Sequence, residues 1–195
     1  MAGTLNTQIA AITAAVVAAA LLAFALTGGA DDGAAAGSKG KCAKANASPG
    51  EATTEQLGDA VLCLIGKERK KADLKSVDQN GALTRVAEKH TKVMIEENCL
   101  DHRCKGEKSL SDRIVNSGYP KPGKRYFFGE VTGCSLTAEA MVDAWMDSRV
   151  HRKRILNKKY RDAGIGAGKG SLNVSGCDDG RRRGVYTVIL GTNNG

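Results

Sequence analysis

The chain has 195 residues, of which 42% are hydrophobic and only 4% aromatic, and its formal net charge is +8. This length suits one folded domain with a tail, and the core must be built mainly from aliphatic side chains. The excess of positive charge favours anionic partners, but the basic runs at 151–161 and 180–184 contain too few aromatic residues for a nucleic-acid stacking surface. No specific nucleic-acid partner is therefore expected.

The first 30 residues are apolar and uncharged. Residues 9–27 form a 19-residue run without a charged side chain, and the first charges after it are Asp31 and Asp32. The run is just long enough to span a bilayer. Most signal peptides have basic residues before the apolar run, but none precedes this one. We interpret residues 1–30 as a signal peptide or a single N-terminal membrane anchor. In both cases the remainder is exported, so the predicted location is extracellular or at the cell surface.

Residues 31–53 are small or polar and show no periodicity, which predicts a flexible linker that Cys42 could pin to the domain. The folded domain is predicted to occupy residues 54–195. Its first helix should begin at Thr53, which has capping-box spacing to Gln56, and end at the basic run 67–71.

A second helix is predicted at 80–97, where one apolar stripe includes His90. We interpret His90 as a packed core histidine that donates one hydrogen bond. A short helix at 109–118 and a strand at 124–133 follow.

The last third of the domain combines helix and strand patterns. Thr137 can cap a helix that continues into a further turn or two at 151–156, and two strand-like runs follow at 162–170 and 184–191. Helices that outnumber three late, hairpin-like strands predict an α+β layered sandwich with a small, mainly antiparallel sheet.

Six cysteines follow the apolar segment, and an even number in an exported chain predicts disulfides with 15 possible pairings. They are Cys42, Cys63, Cys99, Cys104, Cys134 and Cys177. A local Cys99–Cys104 bridge is favoured, and it would close a short loop around a histidine. The alternative is that each of these two reaches a farther cysteine, at position 63, 134 or 177.

Three side chains stand out as candidates for chemistry. His102 and His151 lie outside the apolar stripes, and Glu130 ends an otherwise apolar strand. A buried carboxylate needs a cation, a metal or several N–H donors as a partner. Two imidazoles and a carboxylate also match the ligands of an open zinc site, but nothing in their spacing shows that they meet.

Six segments, taken together, resemble the CAP superfamily of cysteine-rich secretory, antigen 5 and pathogenesis-related-like proteins (SCP domains), in its short bacterial form. They extend in order over about residues 54–191 and read ALTRVAEKHTKVMIEENCLDH, SLSDRIVNSGY, FFGEV, AEAMVDAWMDSRVHRKRIL, RDAGIGAG and VYTVILG. The resemblance implies an α-β-α sandwich with a central cavity of histidines and acidic residues that binds a divalent metal in some members.

The same resemblance assigns His102, Glu130 and His151 to the cavity, as ligands for a divalent cation such as zinc. Two departures weaken an expectation of strong metal affinity. Val131 replaces the asparagine of the family's Gly-Glu-Asn motif, and Ser148 lies near the position of a second cavity glutamate.

The sequence thus predicts an exported binding module with a divalent-metal cavity. The basic exterior would contact an anionic cell-envelope polymer or lipid, and an uncleaved N-terminal segment would add a membrane contact. The alternative is an extracellular metal-dependent hydrolase, a peptidase or esterase, with Glu130 as its catalytic candidate. Binding is favoured because no nucleophile elbow is recognisable. A third reading is that the cavity residues only stabilise the fold through a buried hydrogen-bond network.

Overall fold

The computed structural model describes residues 41–194. Its elements, in chain order, are α1 (Thr54–Lys71), β1 (Asp78–Gln79), α2 (Gly81–Glu96), α3 (Leu110–Asn116), β2 (Arg125–Ser135), α4 (Ala138–Asp147), α5 (Arg149–Ile155), β3 (Asp162–Gly170) and β4 (Arg183–Asn194). The predicted signal peptide or anchor and the first part of the predicted linker lie outside the described residues. Among the helices that are described, none has the length and apolar character needed to cross a membrane.

The four strands form one mixed sheet in the order β1-β3-β4-β2. Strand β4 is antiparallel to both β3 and β2, and the two-residue β1 pairs parallel with β3. Strand β2 is consequently an edge strand over its whole length. The predicted α+β class with a small, mainly antiparallel sheet is confirmed.

Helices cover both faces of the sheet. Along β4, Val188 and Leu190 join the apolar cluster of α1 and α4, whereas Ile189 packs in a separate cluster with α2 and α3. On the same face as Ile189, the Thr187 hydroxyl accepts a 2.8 Å hydrogen bond from Thr91 on α2. Because successive side chains of a strand point to opposite faces, these contacts place α1 and α4 on one side and α2 and α3 on the other.

Strand β3 carries glycines where α2 crosses it. A Cβ atom at Gly164 would collide with the backbone of Leu83, and one at Gly166 with the backbone of Ala87. The alternation of glycine with larger residues in GIGAG therefore lets α2 lie directly on the sheet.

The first helix begins as predicted. The Thr53 hydroxyl accepts a 3.1 Å hydrogen bond from the Gln56 amide, and the Gln56 side chain accepts one of 3.0 Å from the Thr53 amide. This reciprocal pair is a capping box, which fixes the N-terminus of α1.

The packed part of the chain begins earlier than the predicted boundary at residue 54. Cys42 and Ala45 are buried in the cluster of α1 and α4, and the Ala45 carbonyl accepts a 2.9 Å hydrogen bond from the Glu139 amide. A disulfide also joins Cys42 to Cys63 on α1. Residues 41–53 are therefore packed against the domain and are not a flexible linker. A disulfide and backbone contacts hold them, and such contacts require no amphipathic pattern in the sequence.

All six cysteines are paired. The bridges are Cys42–Cys63, Cys99–Cys104 and Cys134–Cys177. The expectation of a disulfide scaffold is confirmed, and the favoured local bridge is the one that the structure contains.

A buried arginine fixes the end of α5. Arg69 has no exposed surface, and its guanidinium donates to four carbonyl oxygens at 2.7–3.1 Å. They belong to Lys75, Ile155, Asn157 and Tyr160. Because Ile155 is the last residue of α5, these bonds hold the C-terminal end of the helix that carries the predicted site histidine His151.

Candidate functional site

Glu130 lies in the middle of the edge strand β2 and has no exposed surface. Its neighbour Val131 packs in the same cluster as Trp145 on the α1–α4 face. Glu130 therefore points to the opposite face, where its antiparallel partner Ile189 packs with α2 and α3. The alternation of β2 thus directs a carboxylate into the buried layer between the sheet and helices α2 and α3.

His102 contacts this carboxylate. The distance from His102 Nδ1 to Glu130 Oε1 is 2.9 Å, and the imidazole remains 47% exposed. His102 belongs to the loop between α2 and α3, which the Cys99–Cys104 disulfide closes. The disulfide limits the freedom of this loop, so it helps to hold the imidazole over the strand.

The other carboxylate oxygen faces an arginine. Arg113, on α3, places Nη1 3.4 Å from Glu130 Oε2, and its Nη2 donates a 2.6 Å hydrogen bond to the His102 carbonyl. Only 9% of this arginine side chain is exposed. Arg113 therefore supplies the cation that a buried carboxylate needs and also holds the backbone of the histidine loop.

Sequence reasoning missed Arg113. The residue lies within a short amphipathic helix whose pattern carried no chemical signal. The available signal was the requirement that buried Glu130 be paired, which indicated a cation without indicating which one.

The centre formed by His102, Glu130 and Arg113 is not fully satisfied by the protein. Arg113 Nε and Nη1 and Glu130 Oε2 are buried, and none of them has a hydrogen-bond partner within the described residues. The contact between Arg113 and Glu130 is an ion pair without hydrogen-bond geometry. The centre keeps hydrogen-bonding capacity that an ordinary core network would use.

His151, on α5, lies near this centre without joining it. Burial lowers the pKa of His151, and the positive charges of His102 and Arg154 lower it further. Its side chain forms no hydrogen bond or ion pair with Glu130 or His102 in the described part of the chain. The structure thus brings two of the three predicted residues into contact and places the third within electrostatic range.

The arrangement does not fit a divalent metal. Residues 41–194 contain no group of three or more His, Cys, Asp or Glu side chains placed to hold a metal ion. His102 Nδ1 is engaged by the carboxylate, and the Arg113 guanidinium stands where a cation would balance Glu130. A metal ion bound to Glu130 would compete with this ion pair, and the zinc site stays a prediction.

His90 is the buried core histidine that the sequence predicts, with both ring nitrogens engaged. Nδ1 lies 2.9 Å from Glu107 Oε2, and Nε2 lies 2.9 Å from the Asp101 carbonyl oxygen. Glu107 Oε2 also accepts a 3.0 Å hydrogen bond from the Cys104 amide. His90 therefore supports the loop that carries His102.

Similar proteins are bacterial. The chain is 32% identical over 108 residues to the uncharacterized protein YkwD of Bacillus subtilis, and 30% identical over 108 residues to the uncharacterized membrane protein YlbC of the same species. Each match covers 54% of this chain but only 40% and 30% of those two proteins. The chain therefore corresponds to less than half of either relative.

Solved structures have the same fold. An outer surface protein of Borrelia burgdorferi matches 73% of this chain and 97% of its own, with a TM-score of 0.57 and 18% identity. An extracellular SCP-domain protein of Bacillus anthracis matches 70% of this chain and 39% of its own, with a TM-score of 0.51 and 22% identity. The profile of the cysteine-rich secretory protein family (CAP) matches residues 63–189, which is more than half of the chain. The chain therefore belongs to the CAP family of cysteine-rich secretory proteins.

Proposed function

We propose that this protein is an exported binding domain whose partner is an anionic polymer of the cell envelope. Three disulfides are typical of chains that fold outside the cytoplasm. One protein of similar fold is described as an outer surface protein and another as extracellular, which supports the same location here. The excess of 29 basic over 21 acidic residues favours an anionic partner.

The state of Glu130 is the observation that favours binding over hydrolysis. A general base must reach the proton that it abstracts, but this carboxylate is fully buried. One of its oxygens contacts His102 and the other faces Arg113. An ion-paired carboxylate without access to solvent is suited to holding side chains in place.

A sedimentation experiment tests the proposal. Cell walls that retain their phosphodiester-linked polymers are mixed with the protein and pelleted, beside walls from which those polymers have been extracted. We expect the protein to pellet with the intact walls only and to be released by salt, because salt weakens contacts between exposed charges. Equal binding to both wall preparations, or no binding to either, would contradict the proposal.

A hydrolase is the second candidate, and one observation favours it. An imidazole that is held by a buried carboxylate and is partly exposed on its other side is the arrangement of a general base with its orienting acid. In that case His102 would be the base and Glu130 the positioning residue, in place of the Glu130 base that the sequence suggests.

Turnover measurements separate the two candidates. Fluorogenic peptides and simple esters are incubated with wild type, His102→Gln and Glu130→Gln. The binding proposal predicts no turnover by wild type above the background of the variants. Turnover that falls by about a hundredfold or more in both variants would establish the hydrolase instead.

The predicted zinc site at His102, Glu130 and His151 has its own test. Calorimetric titration with zinc compares wild type with His151→Ala. The site requires a heat in wild type that the variant lacks, whereas equal heats or no heat in either protein would exclude it. Because Arg113 already balances Glu130, we expect no such difference.

A further inference from the structure

A groove lies beside the centre already described, on the α2–α3 face of the sheet. Its volume is about 650 Å³, and it is bounded by α2, by the loop residues 105–108 and by α3. This volume is within the range of ligand-binding clefts. We call it the α2–α3 groove.

Basic side chains line both walls of the groove. Arg85 and Lys89 lie one helical turn apart on α2, and Lys105 and Lys108 lie on the loop. Arg113 is the fifth basic residue in the lining. Four of the five are exposed, and only Arg113 is largely buried.

The four exposed cations are uncompensated. None of Arg85, Lys89, Lys105 and Lys108 forms an ion pair or a side-chain hydrogen bond with another residue of the described domain. By contrast, the exposed Arg181 and the partly buried Arg183 both bind Asp179. The groove thus concentrates positive charge that the fold leaves unused.

The two carboxylates of the groove do not cancel this charge. Glu107 is only 9% exposed and is engaged with His90 and the Cys104 amide. Glu97, just beyond the end of α2, is the other acidic residue in the lining. Because Arg113 is paired with Glu130, the balance is four exposed cations against two carboxylates, which leaves the groove positive.

The remaining lining combines two valines with Gly106, Asn116 and Ser117. Val86 is buried and packs with the α2–α3 cluster, and Val93 is partly buried further along the same helix. The alkyl stems of the lysines and arginines add to this surface. A ligand of the groove must therefore carry several negative charges that are separated by less polar units.

We propose that the α2–α3 groove binds a segment of a phosphodiester-linked polyol chain. Successive phosphates would lie between the α2 cations and the loop cations, and the polyol units would pack on the valines and alkyl stems. Arginine suits this role because its planar guanidinium binds phosphate oxygens in pairs. This inference rests on the proposed function and specifies which surface carries it.

Arg113 connects the groove to the His102–Glu130 centre. Its guanidinium lines the groove, and two of its buried nitrogens, Nε and Nη1, have no hydrogen-bond partner within the described residues. Both nitrogens are buried, so a phosphate at this end of the groove would contact them only after the guanidinium turns toward the groove.

The test is calorimetric binding of soluble poly(glycerol phosphate) to the whole protein. The groove variant is Arg85→Gln/Lys89→Gln, and its matched control is Lys70→Gln/Lys75→Gln, which removes two exposed charges near the end of α1 on the opposite layer. We expect the groove variant to bind about tenfold more weakly or worse, since each lost charged contact contributes more than a neutral one. The control should stay within about twofold of wild type.

Several outcomes overturn the groove assignment. Equal weakening of both variants would mean that net charge alone governs binding. Equal affinity per phosphate for monomeric glycerol 3-phosphate would exclude a polymer site, and binding to anionic vesicles without binding to the polymer would indicate a lipid surface instead. Circular dichroism confirms that both variants are folded before they are compared.

The wall-sedimentation experiment separates this inference from the proposed function. If the groove variant still pellets with intact walls as wild type does, the protein binds the polymer through another surface and the groove assignment is wrong. If wild type itself does not pellet, the proposed function fails as well.

Discussion

Two buried arginines, Arg69 and Arg113, are treated differently by the same fold. The Arg69 guanidinium has no carboxylate partner among the described residues, and it donates to four backbone carbonyls in the layer of α1 and α5. The Arg113 guanidinium makes one hydrogen bond and faces Glu130 at 3.4 Å. Two of its nitrogens have no hydrogen-bond partner within residues 41–194. All three guanidinium nitrogens of Arg69 are hydrogen-bonded, whereas only one of those of Arg113 is.

The difference indicates where the domain is built for stability and where it is built for recognition. A buried donor without a hydrogen-bond partner costs free energy. The same fold pairs every nitrogen of the Arg69 guanidinium, so the unpaired nitrogens of Arg113 are a feature that calls for an explanation. Unsatisfied polar atoms that persist in a folded protein tend to mark functional sites. This contrast supports placing the ligand on the α2–α3 side.

The largest expected effect comes from exchanging each arginine for lysine, which preserves the charge but not the planar fork. Arg69→Lys should lower the free energy of unfolding by about 3 kcal/mol, because an ammonium group cannot reach the four carbonyls at once. Arg113→Lys should cost about 1 kcal/mol, because one hydrogen bond changes and Glu130 keeps a cation. Urea denaturation of both variants measures the difference, and equal losses would remove the distinction between the two arginines.

An intermediate effect is expected at the buried His90–Glu107 pair, which supports the histidine loop from the core side. His90→Gln should lower the free energy of unfolding by about 2 kcal/mol, because one amide cannot replace both ring contacts and the largely buried Glu107 loses a hydrogen-bond partner. The double variant His90→Gln/Glu107→Gln should lose less than the sum of the two single changes, with a coupling of about 1 kcal/mol or more. Strict additivity in the denaturation data would show that the two side chains do not interact.

The smallest effect is a pH dependence at His151. Burial, and then the charges of His102 and Arg154, lower the pKa of His151 in the folded protein. The unfolded chain therefore binds the proton more readily, and stability should fall as the pH is lowered through about 6.5, the ordinary value for histidine. In His102→Gln the pKa of His151 should rise but stay below that ordinary value, because burial remains. Proton NMR titration of the imidazole measures both, and an unchanged pKa would mean that the two rings do not sense each other.

Most of the fold follows from local sequence patterns. Helix α1 was predictable because an apolar stripe and a capping box agree, α2 because of its apolar stripe, and β2 and β4 because apolar strands end at glycines or turns. Strand β1 was missed because Asp78 and Gln79 are exposed and too few to form a pattern. The packing of residues 41–53 was also missed, because a disulfide and single backbone contacts leave no periodic trace.

The candidate site was only partly predictable, for a physical reason. His102 and Glu130 stood out in the residue pattern and were joined in one site by family resemblance, but their 2.9 Å contact depends on a loop conformation that spacing does not encode. Arg113 and Glu107 were not named, although each pairs with a residue that was. Partners of buried charges come from distant parts of the chain, so the sequence indicates that a partner must exist without showing its position.

Gly164 and Gly166 of β3 also affect the position of the α2–α3 groove. Because neither has a side chain, the thickness of the layer between the sheet and α2 is set by backbone contact alone. Helix α2 carries Arg85 and Lys89 of the groove wall and also His90 under the histidine loop. One methyl group added beneath the helix would lift all three together. The absence of side chains at these two positions of β3 thus determines how close α2 lies to the sheet, and with it the width of the α2–α3 groove.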